Sequence, residues 1–148
     1  MSHLQYNPAM TEIKNKRVFG KIEVPASKSQ TIRAFLIATF ARDKSTIRHP
    51  LISEDTKACI NACKSLGAKI EFNSDASIAL VDSTNLKIED HIDIDAANSG
   101  TTLYLLLGLA ASLSSEVTLF GDKQLNARPV APLVNALKDL GAEIQSNE

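Results

Sequence analysis

The chain has 148 residues, with 16 Lys or Arg, 17 Asp or Glu and a formal net charge of −1. Its 44% hydrophobic and 22% charged residues are ordinary for a globular protein, which excludes a largely disordered chain and a nucleic-acid binder that relies on bulk positive charge. The longest apolar run, residues 103–113, is far shorter than the ~20 residues of a membrane span, and the N-terminus lacks a signal-peptide pattern. We therefore expect a cytoplasmic protein.

The first half of the chain predicts alternating strands and helices. Apolar and polar residues alternate over residues 18–24, which predicts a strand, and Pro25 ends it. Ser27 and Ser53 each precede a segment of helical periodicity, so each is a predicted N-cap. The predicted elements are a flexible tail at 1–17, strands at 18–24, 45–48, 69–72, 78–81 and about 88–94, and helices after Ser27 and Ser53, the second ending at Gly67.

The pattern starts again in the second half. Residues 98–102 open a helix that is apolar on nearly all sides as far as residue 113, and such a helix is predicted to be buried all round. Residues 116–120 predict a strand. Arg128 and Pro129 open the last predicted helix, with proline at its first position, and Gly141 ends it before a strand at 142–144.

The two halves form an internal repeat. Residues 65–70 (SLGAKI) match residues 139–144 (DLGAEI) at a shift of 74, and the same shift places one capped helix start over the other. We therefore predict an α/β (α+β) fold with a first βαβαββ unit at 18–94 and a second at 95–148. The second unit stops where its hairpin should form, so the sequence predicts part of one domain of a longer protein.

Three helix starts carry residues suited to anion binding. The first holds Ser27, Lys28 and Ser29, with Arg33 on the same face one turn further on. Exposed N–H groups at a helix start attract anions, and hydroxyl, ammonium and guanidinium groups add to this attraction. The alternative is a serine-capped helix with two solvated basic side chains. The G-x-x-x-x-G-K-[ST] pattern of a nucleotide-binding loop is absent.

The other two helix starts surround Gly100 and Arg128. Small polar residues flank Gly100, which lets a ligand approach the backbone closely; the alternative is a polar cap on a buried helix. Arg128 is predicted at a helix start, where a cation opposes the dipole, so an anionic partner would relieve the conflict; the alternative is a solvated arginine. If the repeats pack around a common axis, the three starts converge into a cationic cleft for a small, multiply anionic substrate.

The other reactive residue types give weaker signals. Cys59 and Cys63 lie four residues apart in a helical pattern, which predicts two reduced thiols, because the spacing suits a disulfide poorly and zinc needs more ligands. Glu54 and Asp55 are adjacent and are interpreted as acids in the first turn of a helix.

Together, four motifs resemble the enolpyruvyl transferases, and within that family most closely the EPSP synthases. They are VPASKSQTIR at 24–33, SEDT at 53–56, NSGTT at 98–102 and ARPVAPL at 127–133. The resemblance extends from about residue 20 to residue 144. It implies two domains, each with three βαβαββ units, and an active site in the cleft between them. This chain would hold about two of the six units.

The resemblance also implies an activity. The family branch transfers the carboxyvinyl group of phosphoenolpyruvate to the 5-hydroxyl of shikimate 3-phosphate, a step of aromatic amino-acid and chorismate biosynthesis, with no metal or organic cofactor. Lys28 would be catalytic and would contact both substrates. The implied binding residues are Lys28, Ser29 and Arg33 for shikimate 3-phosphate, and Asn98, Gly100, Thr101 and Arg128 for phosphoenolpyruvate, in a pocket that also binds glyphosate in sensitive members.

Some positions depart from the family pattern, and two alternatives stay open. Ala26, Ile32 and Tyr104 stand where the family usually has Gly, Asn and Arg. A UDP-N-acetylglucosamine enolpyruvyl transferase would have Asn in place of Ser29 and Cys in place of Lys123. The other alternative is a non-catalytic module that binds phosphate ligands. We expect the 148-residue chain to be inactive alone, to self-associate through exposed core surface, and to bind neither nucleic acid nor membranes.

Overall fold

The structure, a computed structural model, describes Arg17 and residues 19–146. Most of the predicted tail and Val18 lie outside the described residues. In chain order the elements are α1 (Lys28–Phe40), β1 (Lys44–Arg48), α2 (Glu54–Ser65), β2 (Lys69–Phe72), β3 (Ile78–Asp82), β4 (His91–Asp95), α3 (Gly100–Ala110), β5 (Glu116–Phe120), α4 (Lys123–Asn126) and α5 (Ala131–Asp139). This mixture of helices and strands is the α/β class that the sequence predicts.

The first half folds into an antiparallel sheet covered by two helices. Its strand order is β1-β3-β2, so β3 is central, and Val81 pairs with Ser45 on one side and with Ile70 on the other. Val81 and Ile70 point to the side covered by α1 and α2, because side chains alternate across a strand. The centre of this core consists of Ile32, Phe35, Leu36, Cys59, Cys63, Leu66, Ala79 and Val81.

The second half is organised around a parallel pair. β4 and β5 pair with Ile92 opposite Val117 and Ile94 opposite Leu119, and α3 connects them. Parallel neighbours need such a crossover connection. β4 also packs against α2, so the two halves share one core. The predicted boundary between units, after residue 94, falls inside β4, and the division of the chain into two units stays a prediction.

The predicted serine caps of α1 and α2 and the predicted glycine ends of α2 and α5 are confirmed. The Ser27 hydroxyl accepts a hydrogen bond from the N–H of Gln30. Ser53 and Thr56 form a reciprocal capping box at the start of α2. Gly67 follows α2 with a φ of +100°, and Gly141 follows α5 with a φ of +97°. Both helices therefore end in the left-handed turn for which glycine is suited.

Two predicted strands are wrong. Residues 19–24 form no strand, and the side chains of Phe19, Ile22 and Val24 are 83%, 88% and 75% exposed. Residues 142–144 also form none. Alternation gives a segment two different faces, but a strand also needs a neighbour for its hydrogen bonds. Among the described residues, β1 pairs with β3 alone and β5 with β4 alone, so neither predicted strand has a ladder partner.

Two helix predictions also need correction. The last helix begins at Ala131, with Pro132 in its first turn, and the short α4, capped by Asp122, precedes it. Either Pro129 or Pro132 suits a first helical turn, so local sequence does not choose between them. α3 ends at Ala110 and is not buried all round, because it lies beside an open cavity of about 1270 Å³. No described helix has the length and apolar character needed to cross a bilayer.

Candidate anion-binding site at the helix N-termini

The starts of α1 and α2 lie side by side. The ammonium of Lys28, the first residue of α1, is 3.2 Å from a carboxylate oxygen of Asp55, in the first turn of α2. One turn further into α1, the Thr31 hydroxyl accepts a hydrogen bond of 3.0 Å from the N–H of Leu51, just before α2. Both contacts join N-terminal ends, so the two helices point the same way.

Buried polar contacts bring the start of α3 to the same end. The Cys59 thiol of α2 donates to the carbonyl of Ile32 in α1 over 3.6 Å and also contacts Thr102 in the first turn of α3. Thr102 is hydrogen-bonded to the capping Ser99 over 2.8 Å, and both side chains are fully buried. Through Cys59, α2 therefore connects α1 to the first turn of α3, while the convergence of all three predicted helix starts stays a prediction.

The two cysteines act in packing. Both are buried and free. A hydrogen bond to the Cys63 thiol and burial raise the pKa of Cys59, because neither favours a thiolate. A hydrogen bond from the Cys59 thiol lowers the pKa of Cys63. The protonated, buried thiol of Cys59 is a weak nucleophile and joins α2 to α1 through the Ile32 carbonyl.

The first predicted group presents two cations and a hydroxyl. Lys28 is half-exposed, Arg33 is exposed and Ser29 is partly buried, whereas Ser27 uses its hydroxyl to cap the helix. The Asp55 carboxylate beside Lys28 is 30% exposed. Because solvent screens such a pair, its contribution to stability is small, about 0–1 kcal/mol, and Lys28 can exchange Asp55 for another anion at little cost.

The second and third predicted groups form one cluster. The Arg128 guanidinium lies so close to Gly100 that a Cβ built on Gly100 would be 3.1 Å from its central carbon. The same guanidinium donates to the Asn98 amide oxygen over 3.4 Å, and the Asn98 amide nitrogen donates to Gln124 over 2.9 Å. Gly100 therefore admits a cationic side chain of this protein against the start of α3.

The loop that carries Arg128 is held at two points. The N–H of Arg128 donates to the carbonyl of Leu125 over 3.0 Å, and the Tyr104 hydroxyl of α3 donates to the carbonyl of Pro129 over 3.0 Å. Arg128 precedes α5 by three residues, so the predicted conflict between its charge and a helix start does not exist. Its side chain is exposed, which leaves guanidinium donors for a ligand.

The arrangement is suited to binding a multiply charged anion. Lys28 and Arg33 lie at the start of α1, and Arg128 lies against the start of α3. Helix N–H groups and charge-assisted hydrogen bonds favour carboxylates and phosphates there. Thr101, in the first turn of α3, is partly buried. Among the described residues, no three His, Cys, Asp or Glu side chains are grouped to hold a metal ion.

Sequence reasoning missed the partners of these residues. It gave Asp55 a role in helix capping and gave Gln124 none, although they contact Lys28 and Asn98. Asp55 had a usable signal, because an acid in the first turn of α2 meets a lysine wherever the two helix starts adjoin. Gln124 had no such signal, since its contact with Asn98 depends on the path of the loop after β5.

Comparison with known proteins agrees with this interpretation of the chain. Residues 13–148 match the family described as EPSP synthase (3-phosphoshikimate 1-carboxyvinyltransferase). A 3-phosphoshikimate 1-carboxyvinyltransferase from Chlamydia caviae is 42% identical over 88% of this chain, and one from Nitrosopumilus maritimus is 36% identical over 93%. The chain spans only 29% and 32% of these two relatives.

The fold gives the same result. The structure of an EPSP synthase from Acinetobacter baumannii superposes with a TM-score of 0.78 and 26% identity, covering 87% of this chain and 30% of that one. The family match covers more than nine tenths of the present sequence, including all four motifs that carry the resemblance. The chain therefore belongs to the EPSP synthase family.

Proposed function

We propose that this chain supplies part of the active site of an enzyme that transfers the carboxyvinyl group of phosphoenolpyruvate to the 5-hydroxyl of shikimate 3-phosphate. The observation that carries the proposal is the Arg128 guanidinium, which lies against Gly100 and Asn98 at the start of α3. Family membership adds the chemistry, since the relatives are named for this transfer. We place the reaction in the cytoplasm, in the pathway to chorismate and the aromatic amino acids.

The cluster around Arg128 fits phosphoenolpyruvate, which carries a phosphate and a carboxylate. A guanidinium binds either group through two parallel N–H donors. The amide of Asn98, the hydroxyl of Thr101 and the N–H groups of the first turn of α3 are further donors beside it. Because Gly100 has no side chain, the ligand and Arg128 can both lie close to the backbone. Glyphosate, which has similar charged groups, fits the same cluster.

The start of α1 fits shikimate 3-phosphate. Ser29 and Arg33 lie on one face of the helix, and Lys28 lies at its first position. In the proposed reaction the 5-hydroxyl gives up its proton to a base as its oxygen bonds to C2 of phosphoenolpyruvate, and C3 gains a proton, which gives a tetrahedral intermediate. Phosphate then leaves C2 and a proton leaves C3, which gives the enol ether. Lys28 is the proposed catalytic residue, because an ammonium there neutralises charge on both substrates and can move a proton.

The 148-residue chain is proposed to bind but not to turn over. It spans about three tenths of the relatives, and the reaction needs acid and base groups on both faces of the bound substrates. The residues at the helix starts supply mainly positive charge and hydrogen-bond donors. No metal or organic cofactor is part of the proposed chemistry.

The test is an NMR titration of the chain with shikimate 3-phosphate, and in parallel with UDP-N-acetylglucosamine. We expect amide shifts that cluster at residues 28–33 with shikimate 3-phosphate only. Lys28→Met should weaken that binding at least about tenfold, because it removes a charged contact to the ligand. Lys57→Met is the matched control, since Lys57 pairs with Glu54 over 2.8 Å beside the Lys28–Asp55 pair but lies on the exposed side of α2.

The outcomes separate the candidate functions. Shifts at 28–33 with UDP-N-acetylglucosamine would favour the sister transferase. Binding of phosphate itself with the same affinity as shikimate 3-phosphate would favour a general phosphate-binding module. A folded chain that binds neither shikimate 3-phosphate nor UDP-N-acetylglucosamine, or a Lys57→Met variant as impaired as Lys28→Met, would contradict the assignment of shikimate 3-phosphate to the start of α1.

A further inference from the structure

Tyr104 connects the first turns of α3 to the loop that carries Arg128. Its ring is partly buried, and its hydroxyl donates to the carbonyl of Pro129 over 3.0 Å. The hydroxyl has a single proton, and that proton is used inside the protein. Tyr104 therefore has no donor left for a ligand in this arrangement, so any effect on the site must act through the loop.

The contact is well placed to restrain Arg128. Pro129 directly follows Arg128, its ring fixes φ, and its carbonyl is the atom that Tyr104 holds. On the other side, the Arg128 N–H is bonded to Leu125 in the short α4. Hydrogen bonds thus hold the backbone at Arg128 and at Pro129, while the guanidinium itself makes a long hydrogen bond of 3.4 Å to Asn98.

We propose that Tyr104 is a positioning residue that holds the Arg128 guanidinium over Gly100 in advance of ligand binding. This proposal depends on the proposed function in one respect, which is the identity of the ligand as phosphoenolpyruvate. An exposed arginine samples many rotamers, and fixing it before binding lowers the entropic cost of each contact that it makes. A neutral phenol achieves this without adding charge.

The test compares the full chain with Tyr104→Phe and Ser112→Ala. Tyr104→Phe keeps the ring and removes the hydroxyl. Ser112→Ala is the matched control, because its exposed hydroxyl also donates to a backbone carbonyl, Leu109 at 2.7 Å, but beyond the other end of α3. The first readout is the ¹⁵N relaxation of the Arg128 Nε–H group without ligand, with that of Arg33 as internal reference. The second is the affinity for phosphoenolpyruvate, by titration.

We expect Tyr104→Phe to increase the mobility of Arg128 Nε–H, to leave Arg33 unchanged, and to weaken phosphoenolpyruvate binding about three- to tenfold, the effect of one neutral hydrogen bond. The thermal midpoint should stay close to that of the parent chain. Unchanged Arg128 relaxation in Tyr104→Phe, or an equal change in Ser112→Ala, would overturn the proposal. A parent chain that binds no phosphoenolpyruvate would instead count against the proposed function, while the relaxation measurement would still decide the role of Tyr104.

Discussion

The Arg128 guanidinium occupies the space that a side chain at position 100 would need. Sequence reasoning identified both residues as candidates for anion binding, but assigned the room above Gly100 to a ligand. Twenty-seven residues separate the pair along the chain, so the contact depends on how the loop after β5 returns to α3. Local sequence patterns therefore identify Gly100 and Arg128 separately. The fold shows that the Arg128 side chain occupies the space beside Gly100.

Gly100→Ala should weaken phosphoenolpyruvate binding at least about tenfold while changing stability little. The new Cβ would meet the end of an exposed, flexible side chain, so the guanidinium is expected to swing away and lose its place beside Asn98. Titration with phosphoenolpyruvate and urea unfolding measure the two effects.

Gly108→Ala is the control for that change, since Gly108 lies in the same helix, is exposed, and has nothing within 4 Å of the place that a Cβ would take. It should bind normally and gain up to about 1 kcal/mol of stability from helix propensity. Normal binding by Gly100→Ala would show that the guanidinium position does not set affinity.

α1 and α2 could be predicted correctly, whereas the strands predicted at 19–24 and 142–144 are wrong, and the reason is physical. α1 and α2 are set by contacts within a few residues: a serine cap, an apolar face and, for α2, a terminal glycine. The segments at 18–24 and 142–144 have the alternation of strands, but a strand exists through its neighbour. In the first repeat β3 pairs with both β1 and β2. In the second half of the chain, a cavity of about 1270 Å³ lies between β5 and residues 142–146, and among the described residues β5 pairs with β4 alone.

The two terminal glycines allow a test of the repeat at the level of helices. Gly67 and Gly141 hold equivalent left-handed turns, so alanine at either should cost roughly 1–2 kcal/mol. At Gly67 the new Cβ would also be 2.8 Å from the backbone carbonyl of Lys87, whereas at Gly141 it would meet open space. We therefore expect Gly67→Ala to lower the free energy of unfolding by at least about 1 kcal/mol more than Gly141→Ala, as urea titrations measure. Equal losses in the free energy of unfolding would mean that the backbone at Lys87 moves away from the new Cβ at little cost.

At the scale of the whole molecule, the family could be predicted, because the four motifs and their order are properties of the sequence alone. The degree of burial of α3 could not be predicted from the sequence. α3 was expected to be buried on every side, yet Leu105, Leu107 and Leu109 are only partly buried. The apolar composition of α3 predicts full burial, but composition does not determine which neighbours pack against each side of the helix. Of these three side chains, Leu107 lines the cavity beside β5.

That surface leads to a prediction about association. β5 has an unpaired outer edge among the described residues, and Phe120 on it is 44% exposed beside the cavity. An unpaired strand next to apolar surface favours pairing with another chain. We expect sedimentation velocity to show an average mass that rises with concentration, and Phe120→Glu to suppress the rise. Ile37→Glu is the control, because Ile37 is 71% exposed on α1, lies away from the cavity and receives the same charge. A monomer at every concentration, or equal suppression by Ile37→Glu, would show that this edge does not drive association.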